Sequence, residues 1–435
     1  MSAFQQRITL SEAEVIWQRS REAGLLSDRT RSLLVHDLDR MRSRIAILQE
    51  VFPSHTLHAL AIKANPLVEI LREAVNVGAG LEAASIEEAH LALAAECPAE
   101  RIVFDSPAKT MEEIAEALEL GIVLNADNFA ELRRIDQLIK QISTRTTLIG
   151  LRINPEVGAG TISHTSVGQA GSKFGAPLST TRSEIIGAFR RYDWLNGVHV
   201  HVGSQGCSLD LLARAASRID ELRRELEGTT GRPLAFVDIG GGLPTLYREQ
   251  QSAPTPQEYV TRLKQEAPEL MSSDRLLITE FGRAIQAGCG VALSRVEFVR
   301  PEQRMAVIHL GADFLLRPVY RPEDWFHEFF VLDAQGRRKS GTLAPLTITG
   351  PLCFSGDIIA RDVILPPVDE GDWIVIRDTG AYTLGMWSHH CSRSIPGVVG
   401  YDATSPRQVR LLRAAETASD VVRFWSGPRP ADVDK

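Results

Sequence analysis

Short apolar runs alternate with amphipathic stretches along most of this chain, and the alternation sets the elements it predicts. Ser11-Glu-Ala-Glu14 has capping-box spacing ahead of Val15-Ile16-Trp17, so the chain opens with a helix that Gly24 closes. From Leu33 onward, apolar or β-branched runs predict strands at 57–62, 101–104, 122–125, 147–153, 198–202, 235–239 and 275–279. Between them, helical periodicity predicts helices at 66–77, 110–120, 128–142, 181–192, 209–226 and 256–270. Thr110-x-x-Glu113 supplies a second capping box, and Gly121 a stop.

That count comes close to eight βα units over about 250 residues, the size of a (β/α)8 barrel. Parallel strands buried on both faces account for the near-continuous apolar runs; an open doubly wound sheet is the alternative. After Gly290 the texture changes to strands at 291–299, 305–310, 329–332, 346–349, 357–361, 373–377 and 409–412, separated by Gly, Pro and Asp turns. The expected organisation is an N-terminal helical segment at 1–32 packing partly on the β domain, a barrel at 33–290, and an all-β domain at 291–435. No flexible linker separates barrel from β domain.

With 435 residues, 44% of them hydrophobic, the chain exceeds what one core normally fills. A net charge of -7 without a basic block disfavours nucleic acid and anionic lipid as partners. No apolar run matches a membrane span or a secretory signal, so a cytoplasmic protein is expected. Cys97, Cys207, Cys289, Cys353 and Cys391 are odd in number and lack a Cys-x-x-Cys pair, fitting neither a disulfide framework nor structural zinc.

The chemistry concentrates at predicted strand ends. His58-Ala-Leu-Ala-Ile-Lys63-Ala-Asn65 delivers one lysine out of an apolar run, where its amine must snorkel to water, pair with a carboxylate or enter a Schiff base. Asp238-Ile-Gly240-Gly241-Gly242 bares backbone amides that suit a phosphate, without the spacing of a P-loop or dinucleotide fingerprint. Glu280-Phe-Gly282-Arg283 ends the next strand; the glutamate could hold a heterocyclic nitrogen protonated, and the arginine could pair with phosphate or a substrate carboxylate. In a barrel all three would converge on one rim. His199 and His201 share one side of a predicted strand, a spacing that could ligate metal, yet no third ligand stands out nearby, and no metal is expected.

Together with Ser172-Lys-Phe-Gly175, His199-Val-His201-Val-Gly-Ser204-Gln205, Gly350-Pro-Leu-Cys353 with Asp357, and Gly380-Ala-Tyr382, these segments resemble, in order, the fold-type III pyridoxal-phosphate decarboxylases. That is the family of diaminopimelate and ornithine decarboxylases, with an alanine racemase-like barrel and a C-terminal β domain. The resemblance implies a pyridoxal 5'-phosphate decarboxylase acting on a small-molecule amino-acid substrate, working as a homodimer with shared sites. It implies Lys63 as the Schiff-base lysine, His201 stacking on the pyridine ring and Glu280 facing its nitrogen. Ser204, Gly241, Gly242, Gly282, Arg283 and Tyr382 would hold the phosphate. Cys353, which returns a proton to Cα, and Tyr382 would come from the partner subunit.

Departures from the family pattern fall on the substrate. Phe354 stands where a carboxylate follows the cysteine and binds a distal ammonium, a loss of roughly 1.5 to 3 kcal/mol for such a substrate. Arg317-Pro-Val-Tyr320 resembles the diaminopimelate-type Arg-Pro-x-x-Tyr segment, one residue shorter, that binds a distal carboxylate. Phe281 and His389-His-Cys-Ser-Arg393 differ from the family as well. With Arg283, Arg317, Tyr320, Phe354 and Asp357 facing the substrate, the expectation is a specialised amino acid bearing a distal carboxylate or carbonyl. Diaminopimelate itself, an amino-acid racemase, a metal-dependent barrel hydrolase and a non-catalytic regulator are the alternatives.

Overall fold

Eight parallel strands close on themselves in the first part of the chain: β1 (Thr56–Ala61), β2 (Gly80–Ala83), β3 (Ile102–Phe104), β4 (Val123–Ala126), β5 (Ile149–Asn154), β6 (Leu195–His199), β7 (Phe236–Asp238) and β8 (Leu276–Thr279). They pair in the order β4-β3-β2-β1-β8-β7-β6-β5, and β4 pairs with β5 to complete the circle. The computed structural model describes residues 2–141, 147–249, 251–272 and 275–427. The end of the predicted 128–142 helix lies outside them.

Phe236 explains how the barrel floor is filled. Its buried ring meets Leu57, Ala59, Val103, Val123 and Ile278, and a Cβ at Gly197 would lie 2.0 Å from it. Two glycines, Gly150 and Gly197, therefore make room for one large ring, in keeping with layered packing inside such barrels. Helices between strands carry the predicted signals: Met111–Leu120 starts at Thr110 with its capping box and ends at Gly121 in the left-handed conformation, φ 73°.

The chain divides into two units, residues 1–6, 41–246 and 252–286, and residues 7–40, 247–251 and 287–435. In the second, strands Ile358–Leu365, Ala344–Thr349, Met305–Ile308, Gly290–Arg300, Ser32–Asp37, Gly397–Tyr401 and Val409–Arg413 lie side by side in that order. Phe329–Leu332 and Trp373–Arg377 branch from Gly290–Arg300. The opening helix, Leu10–Glu22, packs Ala13, Ile16 and Trp17 on this sheet's Val291, Leu293 and Trp373.

Two readings of the amino-terminal half are corrected. The barrel does not begin at residue 33: the strand Ser32–Asp37 belongs to the second sheet, antiparallel to Gly290–Arg300 and parallel to Gly397–Tyr401. The barrel's remaining strand is instead Gly80–Ala83, followed by the helix Ile86–Ala94; small residues and an embedded glutamate hide both from a hydrophobicity pattern. The first capping box also shifts: Thr9 and Glu12 form it, while Ser11 and Glu14 bind the Arg338 guanidinium. Spacing alone does not separate two overlapping S/T-x-x-E registers.

Candidate active site

Every barrel strand contributes its carboxyl end to one cluster of buried charge. β1 leads into the turn Ile62–Ala64, which presents Lys63. Its Nζ donates to both oxygens of Glu82 on β2, at 2.6 and 2.5 Å, and Glu82 is wholly buried. Beyond Glu82 stand Asp105 after β3, Asn125 on β4, Arg152 on β5, His199 on β6, Asp238 on β7 and Glu280 after β8, all buried. With His201 just past β6, four carboxylates thus face one ammonium, one guanidinium and two imidazoles.

Glu280 sits between both imidazoles. Its Oε1 is 3.6 Å from His199 Nε2 and its Oε2 is 3.2 Å from His201 Nδ1. Burial opposes its charge, yet His199 and His201 hold the carboxyl well below the usual range, so it stays an anion. His199 moves the other way. Against burial, the charges of Asp105, Glu280 and Asp238 raise it to about 9, so it is an imidazolium at neutral pH. Burial and the neighbouring Glu280 push Asp238 far up, and it accepts from the Gly240 amide (2.9 Å) and the Asn125 amide (3.4 Å). Burial also pushes Glu82 up, to about 8, although Lys63 pulls it down.

His201 lies two residues beyond the strand, which ends at His199, so the two histidines do not share a strand face as the spacing predicts. The loop still returns His201 to Glu280, and burial keeps its imidazole neutral. Its Nδ1 is 3.2 Å from the Gly241 amide as well, so a proton on Nδ1 serves the carboxylate and a bare Nδ1 accepts from the amide.

The glycine triplet closes the cluster. A Cβ on Gly241 would stand 2.3 Å from the Glu280 carbonyl oxygen, and one on Gly242 would stand 2.8 Å from that of Gly203. Backbone here approaches backbone too closely for any side chain, which leaves the amides bare toward an anion. Arg283 Nε donates to Ser204 Oγ at 3.3 Å, and Gly282 packs on Ala61 and Ala64, the neighbours of the Lys63 turn. The structure thereby brings together Lys63, His201, Ser204, Gly241, Gly242, Glu280, Gly282 and Arg283.

In the second unit, Arg317 lies over the rings of Trp325 and Tyr382, 4.6 and 4.4 Å from their centroids. Tyr382 holds a left-handed φ of 57°. Tyr320 and Phe354 stack with centroids 5.9 Å apart and planes 16° apart, both exposed beside the exposed Cys353. Asp357 corrects a sequence expectation. Instead of facing substrate, its buried carboxylate accepts from the backbone amides of Ala312 and Leu352, each at 2.7 Å, and fills space that side chains at Gly311 and Gly350 would need. It positions the loop that carries Cys353.

Sequence reasoning passed over Glu82, Asp105 and Arg152. Each is one polar residue at the end of a short apolar strand, and that placement is the signal that could have found them. The structure also supplies the third ligand type that the His199 and His201 pair lacked, since Glu280 comes within 4.8 Å of both. Lys63, Arg152 and the His199 imidazolium offset much of the carboxylate charge at the same place.

These residues suit a planar, phosphate-bearing aldehyde: a lysine for the carbonyl, a buried anion whose Oε1 makes no hydrogen bond, and bare amides beside an arginine. Family comparison gives the class. The pyridoxal-dependent decarboxylase pyridoxal-binding domain matches residues 38–287 and its C-terminal sheet domain matches residues 287–380, so the chain belongs to the pyridoxal-dependent decarboxylases. It is an amino-acid carboxy-lyase whose cofactor is pyridoxal 5'-phosphate. Among relatives, diaminopimelate decarboxylase of Campylobacter jejuni is 30% identical over 89% of this chain and 94% of that one. The diaminopimelate decarboxylase of Archaeoglobus fulgidus is 30% identical over 77% and 79%. The crystal structure of the Helicobacter pylori diaminopimelate decarboxylase complexed with L-lysine superposes with a TM-score of 0.82, at 26% identity over 93% of this chain and 99% of that one.

Proposed function

We propose that the enzyme decarboxylates an α-amino acid of the diaminopimelate type, the reading its relatives support. One observation carries the catalytic part: Glu280 is a buried anion held by two imidazoles, at the same strand ends that present Lys63. Pyridoxal phosphate supplies an electron sink for the pair released when the Cα-carboxylate bond breaks. Lys63 would hold the cofactor covalently and, once displaced by the substrate amine, expel the product. Glu280 would keep a proton on the ring nitrogen, and His199, by its charge, would keep Glu280 ionised. His201 would lie against the ring, while Ser204, Gly241, Gly242, Gly282, Arg283 and Tyr382 would bind the phosphate. Cys353 Sγ would deliver the proton to Cα, from the partner subunit of a homodimer.

Phe354 favours a second reading of the substrate. A phenyl stacked on Tyr320 offers no charge-assisted bond to a distal ammonium, whereas Arg317 nearby in the chain suits a distal carboxylate. On this reading the substrate keeps an acidic or carbonyl group and lacks a free distal amine.

Carbon dioxide release from a panel of L- and D-amino acids, including meso-diaminopimelate, lysine, and acidic and amide-bearing members, separates the two. Preference for diaminopimelate over every acidic member supports the first. The second requires the reverse, with Phe354→Glu raising turnover of the diamino acid about tenfold or more, as restoring a charge-assisted bond of roughly 1.5 to 3 kcal/mol would.

A further inference from the structure

We propose that Glu82 is the proton acceptor that converts Lys63 from ammonium to amine, and so sets when this lysine can act as a nucleophile. The inference rests on Lys63 being the residue that captures the cofactor. An ammonium has no lone pair, so a lysine that attacks a carbonyl must first lose a proton. In water that loss is unfavourable near neutrality, because a lysine and a glutamate differ by about six pKa units in favour of the ion pair.

The geometry removes most of that gap. Both Glu82 oxygens lie within 2.6 Å of Nζ, so transfer needs no intervening water and no side-chain movement. The carboxylate is wholly buried while the Lys63 side chain remains 38% exposed, so desolvation weighs on the acid far more than on the base. Asp105 and Glu280 press further negative charge on Glu82, and Arg152 and His199 are spent on those two carboxylates. Glu88, on the helix after β2, also feels the Lys63 charge, yet its carboxylate bonds the Ala84 amide. Glu82 is therefore the base in contact. In the transfer one N–H bond of Lys63 breaks, its electron pair stays on Nζ, and the proton forms an O–H bond on Glu82. Ammonium and carboxylate become amine and carboxylic acid, with no net change of charge in the buried cluster. Reversal of the same step lets Lys63 rest as an ammonium while substrate occupies the site.

The test is the rate at which the apo form of the full-length protein captures pyridoxal phosphate, followed by absorbance between pH 6.5 and 9.5. Wild type, Glu82→Gln and Glu82→Asp are compared, with circular dichroism and affinity for pyridoxamine phosphate, which cannot react with a lysine, as controls on fold and site. The wild-type rate is expected to rise as Glu82 ionises, through about pH 8, and to change little above that. In Glu82→Gln it should fall at least tenfold at pH 8 and go on climbing about tenfold per pH unit to the top of the range, as for an unassisted lysine. Glu82→Asp should recover most of the wild-type levelling above pH 8, with pyridoxamine phosphate affinity within about twofold in all three. Glu82→Gln capture with the wild-type rate and pH profile would overturn the proposal. A wild type that binds pyridoxamine phosphate but never captures pyridoxal phosphate would sink the assignment of Lys63, and this proposal with it.

Discussion

His199 does much of its work by charge. It donates no hydrogen bond to Glu280, lying 3.6 Å from it and 3.6 Å from Asp105, but its imidazolium lets both carboxylates stay ionised in a wholly buried place. Its value of about 9 lies above the ordinary 6.5, so it binds a proton more tightly folded than unfolded. The stability it contributes is complete below about pH 6.5 and is lost as pH rises through about 9. Replacing His199 with Gln should therefore cost about 3 kcal/mol at pH 6, the scale of a broken buried ion pair, and much less at pH 10. Denaturant midpoints at the two values check this. Lys63, His201 and Glu280 were legible in the sequence because each follows a recognisable strand or glycine turn. Glu82 and Asp105 were not, because a single acid inside a short apolar segment carries no periodic signal.

Between β3 and β4, the loop that ends in the helix Met111–Leu120 is tied down by one buried lysine. Lys109 donates to the carbonyls of Ser106 (2.6 Å) and Asn125 (2.8 Å) and pairs with Glu131 (2.8 Å) on the next helix, and its side chain is inaccessible. Lys109→Met should destabilise the barrel by about 3 to 5 kcal/mol by leaving Glu131 buried and unpaired, and Lys109→Met with Glu131→Gln should regain a good part of it. A double-mutant cycle by chemical denaturation measures both. At this scale the helices were read well, since caps such as Thr110 and Gly121 act locally. The strands were read less well: Gly80–Ala83 is short and Ser32–Asp37 fits either sheet, and only pairing across distant sequence decides where a strand goes.

For the whole molecule, the proposed shared-site homodimer makes a quantitative prediction. Lys63→Ala and Cys353→Ala chains, each inactive alone, should regain about a quarter of wild-type activity per site when unfolded together and reassembled in equal amounts, because half the dimers are mixed and half their sites intact. Recovery at background level would require each chain to build its own site. No helix among the described residues is long and apolar enough to cross a membrane. The placement of Ser32–Asp37 between Gly290–Arg300 and Gly397–Tyr401 bears on synthesis. This strand leaves the ribosome before the barrel sequence begins, yet its parallel neighbour is made some 360 residues later. At about 5 to 20 residues per second, it waits roughly 20 to 70 s with that edge open. The barrel, whose strands are complete at Thr279, can close during that interval, so the nascent chain passes through a stage in which a closed barrel trails an unpaired N-terminal strand, an open edge of the kind that chaperones shield.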